Sequence, residues 1–420
     1  MVKLPGGWER RRLGDVSSVI MGQSPSSSLI NKEGKGLPFL QGNAEFTSKY
    51  PNPINWIEKP LKTASKGSIL VSVRAPIGDL NFANSQCCIG RGLASIEANG
   101  FIVDNIFLWY SMHYFINELI RIGQGSTFEA IGRNELRNLC ISLPPLTEQR
   151  KIAEILETAD KAIEKTDAII EKYRRIKQGL MQDLLTKGID EKGQIRSEET
   201  HKFKDSPLGR LPEEWEVAKL GTIGEITSSK RVYFKEYVEE GIPFYRSKEI
   251  IEKAQNLDVK KVLFIPEDKY KQIELKYGVP KKGDVLITAV GTLGIIYIIK
   301  EEDCKFYFKD GNLLWIKDPD ESMIDVEFLF HAFEPVFTKQ RDVMIIGTSQ
   351  NALTIEKMKC LQLPLPPLPE QHRIASVLSQ IDEVIEKEEQ YKVKLERIKQ
   401  GLMQDLLTGE VRVNHLIKET

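Results

Sequence analysis

The 420-residue chain sets 59 Lys and Arg against 60 Asp and Glu, for a formal net charge of -1, with 41% hydrophobic residues. Such a composition excludes a disordered chain, and its near-zero balance argues against tight, unaided DNA binding, where neutralised phosphates supply much of the affinity. Five unevenly spread cysteines, at 87, 88, 140, 304 and 360, have no metal-ligand spacing and read as reduced thiols, which with the absence of an apolar leader points to the cytoplasm.

From the N-terminus, residues 1–146 read as short strands broken by turns, with 69–73 a β-rich run behind a Lys-Gly turn and 101–122 helical. This first body carries 15 Lys and Arg against 11 Asp and Glu. Residues 147–187 differ in kind. Ile152, Leu156, Ala159, Ile163, Thr166, Ile170, Tyr173, Leu180 and Leu184 recur in steps of three and four, with Lys177 as the gap. That is a heptad stripe. A helix of 39 residues spans roughly 59 Å, more than one small domain can cover. Residues 188–210, rich in Gly, Lys, Glu and Ser, read as a linker.

A second body follows at 211–364, with 22 Lys and Arg against 26 Asp and Glu. It includes the β-rich run 285–290 and a helical stretch at 326–337. The most apolar run, 285–299, is too short and too broken by glycine for a membrane helix. Residues 365–409 repeat the heptad pattern at Ile374, Leu378, Ile381, Ile385, Leu395, Leu402 and Leu406, with a more polar middle at Glu388 and Lys392. Residues 410–420 form a tail.

The two halves are copies. Leu4-Pro5-x-x-Trp8 returns as Leu211-Pro212-x-x-Trp215, and Gly36-Leu37-Pro38-Phe39 as Gly241-Ile242-Pro243-Phe244. Leu143-Pro144-Pro145-Leu146-Thr147-Glu148-Gln149 returns as Leu365-Pro366-Pro367-Leu368-Pro369-Glu370-Gln371. Residues 175–186 return unchanged at 397–408. The offset grows from 207 to 222, so the second body holds extra residues, expected to be spread over its loops. Helical tails that agree while bodies diverge describe two modules with a common partner and different targets. Two such helices in one chain find their cheapest apolar partner in each other.

These motifs resemble the specificity subunit of Type I restriction–modification enzymes, over essentially the whole chain. The resemblance implies an α+β fold. Two mixed α/β target-recognition domains would be separated by two long helices in an antiparallel coiled-coil spacer, with a pseudo-two-fold internal repeat. It implies that each body binds one half of a split, asymmetric site on double-stranded DNA. Two modification subunits would then dock on the helical regions and methylate adenine N6. Restriction subunits would join them, and those partners would use S-adenosylmethionine, ATP and Mg. This chain would bind none of these cofactors and no metal, have no membrane role and perform neither reaction. No Gly-x-x-x-x-Gly-Lys-Ser/Thr loop occurs, and no Asn-Pro-Pro-Tyr or Asp-Pro-Pro-Tyr tetrapeptide. The rival reading is a coiled-coil scaffold whose end bodies bind proteins.

Base reading needs Arg, Lys, Asn or Gln on an element that reaches a groove, whereas phosphate contacts need only cationic or small polar groups. The candidates in the first body are Gln23, Ser24, Gln41, Asn43, Arg74, Asn84, Gln86, Arg91, Gln124, Ser126 and Thr127. In the second body they are Ser229, Lys230, Arg231, Arg246, Lys248, Thr292, Thr348, Ser349 and Gln350. Arg74 and Arg246 stand out because each lies beside a β-rich run and a turn. Gly125-Ser126-Thr127 and Gly347-Thr348-Ser349 align across the repeat, while Phe128 faces Gln350 and would be free to specify. Trp8 and Trp215 read as core anchors rather than stacking platforms.

Overall fold

The computed structural model describes residues 4–124, 130–303, 305–345 and 352–417. Packing divides the chain into two units, residues 1–168 with 389–420, and residues 169–388. The longer helices are α1 (Asn105–Gln124), α2 (Leu146–Leu184), α3 (Ser247–Ala254), α4 (Glu267–Tyr277), α5 (Val326–Ile345) and α6 (Leu368–Thr408). Among the described residues no helix is long and apolar enough to cross a membrane.

In the first unit, four antiparallel strands lie in the order Ser17–Met21, Leu93–Ala98, Ile69–Ser72, Leu80–Phe82. The β-rich run is buried on both faces. Ile69 and Val71 join the core that contains Phe107, Leu108 and Met112 of α1. Leu70 points the other way, among Leu40, Ala64 and Ile89 of a second, five-stranded sheet. This alternation is the two-residue period of a strand. In that second sheet Leu37–Leu40 runs parallel to Cys87–Ile89.

The second unit repeats the plan. Its four antiparallel strands are ordered Glu225–Thr227, Leu313–Lys317, Val285–Thr288, Ile296–Ile298. Val285 and Ile287 pack with Phe328 and Leu329 of α5, and Leu286 packs with Ile250, Phe306 and Phe308. Ile242–Tyr245 runs parallel to Tyr307–Phe308. Most of the extra residues of this half fall in one interval rather than being spread over its loops. The repeat offset rises from 205 at Gly241 to 216 at Lys282, and that interval holds α3 and α4. The first unit has a single 3-10 turn there, Asn43–Glu45.

Each long helix starts where a proline carbonyl can accept. The Glu148 and Gln149 amides donate to Pro145 O at 2.9 and 3.0 Å, and those of Glu370 and Gln371 to Pro367 O at 2.8 and 3.1 Å. The helices pair antiparallel inside each unit. In the first, Lys399 Nζ reaches Asp160 at 2.5 Å and Lys392 Nζ reaches Asp167 at 2.6 Å, so a step of seven up α2 meets a step of seven down α6. In the second, Lys177 Nζ bonds both Asp382 oxygens at 2.6 and 2.7 Å.

The heptad stripe is buried differently from its reading as a single seam. Ile152 and Leu156 of α2 join the first unit's core together with Leu406 and Leu407 of α6, with Leu402 half-buried against it. Ile374 and Leu378 join the second unit's core with Leu184 and Leu185, and Leu180 packs against it. Thus the helix ends are covered by the globular bodies. Each fully buried Leu or Ile there contributes about 1.5–3 kcal/mol. Farther along, Ile163, Ile381 and Ile385 are half-buried and Ile170 is buried. The segment 188–210 is also more than a spacer. Ile189 bridges Ile195, Phe203–Ser206 pairs with Gly209–Pro212, and Arg196 is buried.

Candidate nucleic-acid interface

Backbone pairing gathers several candidates of the first body at one rim. The Gln23 amide donates to Ile89 O at 2.9 Å, the Arg91 amide to Ser24 Oγ at 3.1 Å, and the Gly92 amide to Gln41 O at 3.3 Å. Gly22 is required at this crossing, because a Cβ there would stand 2.1 Å from Gly90 O. Val73 N donates to Gly92 O at 2.9 Å, which brings Arg74 beside the same rim, and Arg74 forms an isolated bridge with Ala130. Gln23, Gln41, Arg74 and Arg91 are exposed. Asn43 donates to Asp79 Oδ2 at 2.5 Å. Asn84 and Gln86 are exposed but stand apart, at the opposite end of Cys87–Ile89. Gln124 ends α1. Ser126 and Thr127 lie outside the described residues, as do Thr348, Ser349 and Gln350.

In the second body the candidates are less free. Ser229 is buried, so its hydroxyl is not offered to a surface ligand. Arg246 forms a forked ion pair with buried Glu249, which occupies the fork that a guanine would need. Arg231 Nε donates to Asp310 Oδ2 at 2.8 Å, and Lys248 sits 3.6 Å from Glu252. Lys230 is exposed, with its Nζ 4.9 Å from the Tyr277 ring centre. Thr292 is exposed in the turn beyond Val290, which bridges Ala352 just as Arg74 bridges Ala130. The two bodies therefore present the same backbone with different side chains, Arg74 in one and Val290 in the other.

What the repeated motifs build is a buried clamp, present twice. In the first unit Glu148 accepts from Trp8 Nε1 at 3.2 Å and from Arg412 Nε and an Arg412 terminal nitrogen at 2.7 and 2.8 Å. In the second, Glu370 accepts from Trp215 Nε1 at 3.1 Å, from the Ile189 amide at 2.9 Å and from both terminal nitrogens of Arg196. Each clamp ties the segment after one helix to the first turn of the other. Glycine lets the chain pass over the indole. Gly188, at φ +68°, would place a Cβ 2.1 Å from Glu370 Oε1, and Gly409, at φ +80°, would meet Pro5 at 2.7 Å. The neighbouring glutamines act in parallel. Gln149 accepts from the Asp104 amide and donates to Ile102 O and Pro144 O. Gln371 accepts from the Asp325 amide and donates to Met323 O and Pro366 O.

A second polar layer sits one step along the helices. Asp160 accepts from Tyr110 Oη at 2.5 Å and pairs with Lys399. Asp382 pairs with Lys177, and its neighbour is His331, whose Nε2 lies 3.0 Å from Ser379 Oγ. Burial, helped by the Lys177 charge, pushes the His331 imidazole down to about 4. Burial, reinforced by the Asp160 carboxylate, pushes the Tyr110 hydroxyl up. Lys177, a gap in the stripe, is thus a paired interhelical cation. Sequence reasoning missed Glu148, Glu370, Arg196, Arg412, Asp160 and Asp382 as partners. The signal was there for Glu148, Glu370 and the two aspartates, which recur at the constant offset of 222.

The chain matches the Type I restriction modification DNA specificity domain over residues 5–172 and 212–397. It is 46% identical over 186 residues to a Methanocaldococcus jannaschii chain named for the MjaX type I restriction enzyme specificity subunit, with 44% of each chain covered. It is 29% identical over 437 residues to the MjaVIII specificity subunit of the same organism, covering 99% of this chain and 95% of that one. In fold it is similar to the S subunit of a Type I restriction–modification system from M. genitalium, with TM-score 0.61, 18% identity, and 97% and 98% of the two chains covered. One domain description matches each half, where the structure has one four-stranded antiparallel sheet, one polar clamp and one long-helix start each, and on that footing the chain belongs to the Type I restriction–modification DNA specificity family.

Proposed function

We propose that this chain reads a bipartite, asymmetric site on double-stranded DNA and directs adenine-N6 methylation and restriction by partner subunits. Each body reads one half-site, residues 1–146 one and residues 211–364 the other. The paired helices set the unread gap. Two modification subunits dock on the helical regions and use S-adenosylmethionine, and restriction subunits use ATP and Mg. The chain supplies specificity to both reactions and the chemistry of neither.

The observation that carries this reading is one backbone plan used twice with different rims. Arg74 and Val290 hold the same bridged position, while the clamp of each unit has the same Trp–Glu–Arg composition. Two half-sites of different sequence call for this combination, since base edges are read by side chains and the register is held by the frame.

The test is co-expression with the modification subunit followed by mapping of methylated adenines across host DNA. A single split motif that disappears when this chain is omitted is the expected result. A modification pattern indifferent to the chain, with the complex still assembled, would favour a protein-binding scaffold instead.

A further inference from the structure

In the second body, Lys230, Lys276 and Lys317 converge around a cavity of about 260 Å³ also lined by Tyr277, Trp315 and Glu225. The Nζ atoms of Lys230 and Lys276 lie 4.9 and 5.1 Å from the centre of the same Tyr277 ring. Lys317 Nζ lies 5.8 Å from the Trp315 ring centre and faces the Gly278 turn. Lys317 stands opposite Glu225 in strand register, yet no ion pair joins any of the three ammoniums to a carboxylate among the described residues. Elsewhere in this body Lys248, Lys253, Lys269 and Lys282 all have acidic partners.

Three like charges held by aromatic faces repel one another until an anion enters. The frame that holds them is rigid. The Lys230 amide donates to Tyr307 Oη at 2.7 Å, and Tyr307 is buried. Trp315 is buried and donates to Asp284 at 2.9 Å. The cavity is small for a free nucleotide, since sites for small ligands run about 300–1,000 Å³. It suits one phosphate carried on a polymer. Lys276 and Tyr277 end α4, one of the two helices that the first body lacks.

We propose that Lys230, Lys276 and Lys317 form a seat for one backbone phosphate of duplex DNA, built only on the second body. This rests on the DNA-recognition reading and deepens it. The seat fixes how the second body sits on the duplex and reads no base.

The experiment uses the full chain co-purified with its modification subunit. Two fluorescent duplexes serve as probes, one with the mapped motif and one scrambled, titrated between 50 and 200 mM salt. Losing a phosphate contact lowers the log–log salt slope by about 0.9 and weakens binding about 5–10-fold near 0.1 M salt. Lys276→Gln and the triple Lys→Gln variant are expected to do this equally on both duplexes and to leave the methylated motif unchanged. Lys271→Gln, on the same helix but 3.3 Å from Glu267, is the control and should change nothing. Lys230 and Lys276 are exposed and Lys317 is half-buried, and thermal melts equal to wild type establish that the variants are folded. An unchanged slope in the triple variant, with wild type binding its motif, overturns the seat. A relaxed or altered motif in Lys276→Gln overturns it too, by indicating a base contact. If wild type itself shows no motif, the DNA-recognition reading fails first and the seat falls with it.

Discussion

Replacing Arg196 with Met removes one partner of the buried Glu370 carboxylate while nearly preserving side-chain length. Glu370 is 2% exposed and Arg196 8%. After the change, Glu370 keeps the Trp215 and Ile189 donors but loses its counter-charge. Breaking a buried ion pair from one side costs about 3–5 kcal/mol. In a unit of this size each kcal/mol is worth about 2–4 °C, so the second unit should melt roughly 6–20 °C lower. Arg412→Met is the internal comparison. The Arg412 side chain is 28% exposed, so water can reach the vacated position and the cost should fall to about 1–2 kcal/mol. Pairing Arg196→Met with Glu370→Met should recover most of the loss, because removing both charges is far less costly than stranding one. Thermal denaturation gives the stabilities, and hydrogen exchange at the Ile189 amide reports the clamp directly. Equal costs for Arg196→Met and Arg412→Met, or a double variant no better than the single, would refute the argument from burial.

Gly188→Ala should destabilise by more than about 1–2 kcal/mol, since its positive φ is compounded by a Cβ in contact with Glu370, whereas Gly193→Ala, at φ +76° with open space around it, should cost about 1 kcal/mol. Urea unfolding of the pair separates the two contributions. His331 is neutral in the folded state, with its pKa near 4, and takes up a proton near 6.5 when unfolded. Stability from this residue is therefore complete above about pH 6.5 and is lost as pH falls towards 4, by roughly 3 kcal/mol. His331→Gln should flatten that slope in melts between pH 4 and 7. Arg74→Ala should weaken or relax one half of the methylated motif, by about 1–3 kcal/mol of discrimination, and leave the other half intact in methylation mapping. Deleting seven aligned residues from both long helices removes about 10 Å of rise and should shorten the unread gap by about three base pairs with both half-sites unchanged. Retention of the original gap would end the ruler account.

Much of this protein was legible in its sequence because local periodicity and internal repetition are written along the chain. The heptad steps from Ile152 to Leu184 gave the first long helix nearly to its ends, observed as Leu146–Leu184. The repeated Trp8 and Trp215 frames announced two copies of one body, and both indoles are buried. The family was carried by the twin Leu-Pro-Pro-Leu-x-Glu-Gln segments. What the linear order could not express is which distant groups meet. Arg412 and Glu148 are 264 residues apart, and Arg196 and Glu370 are 174 apart. Only chain closure in three dimensions makes the tail and the segment 188–210 equivalent partners, each supplying the arginine of its own unit's clamp. The same holds for the surface. Arg246 and Lys230 look alike as loop cations, yet a helix turn gives Arg246 a carboxylate and leaves Lys230 over an aromatic ring. A charge is available to a ligand only when folding has not already paired it, and pairing is a property of the tertiary structure.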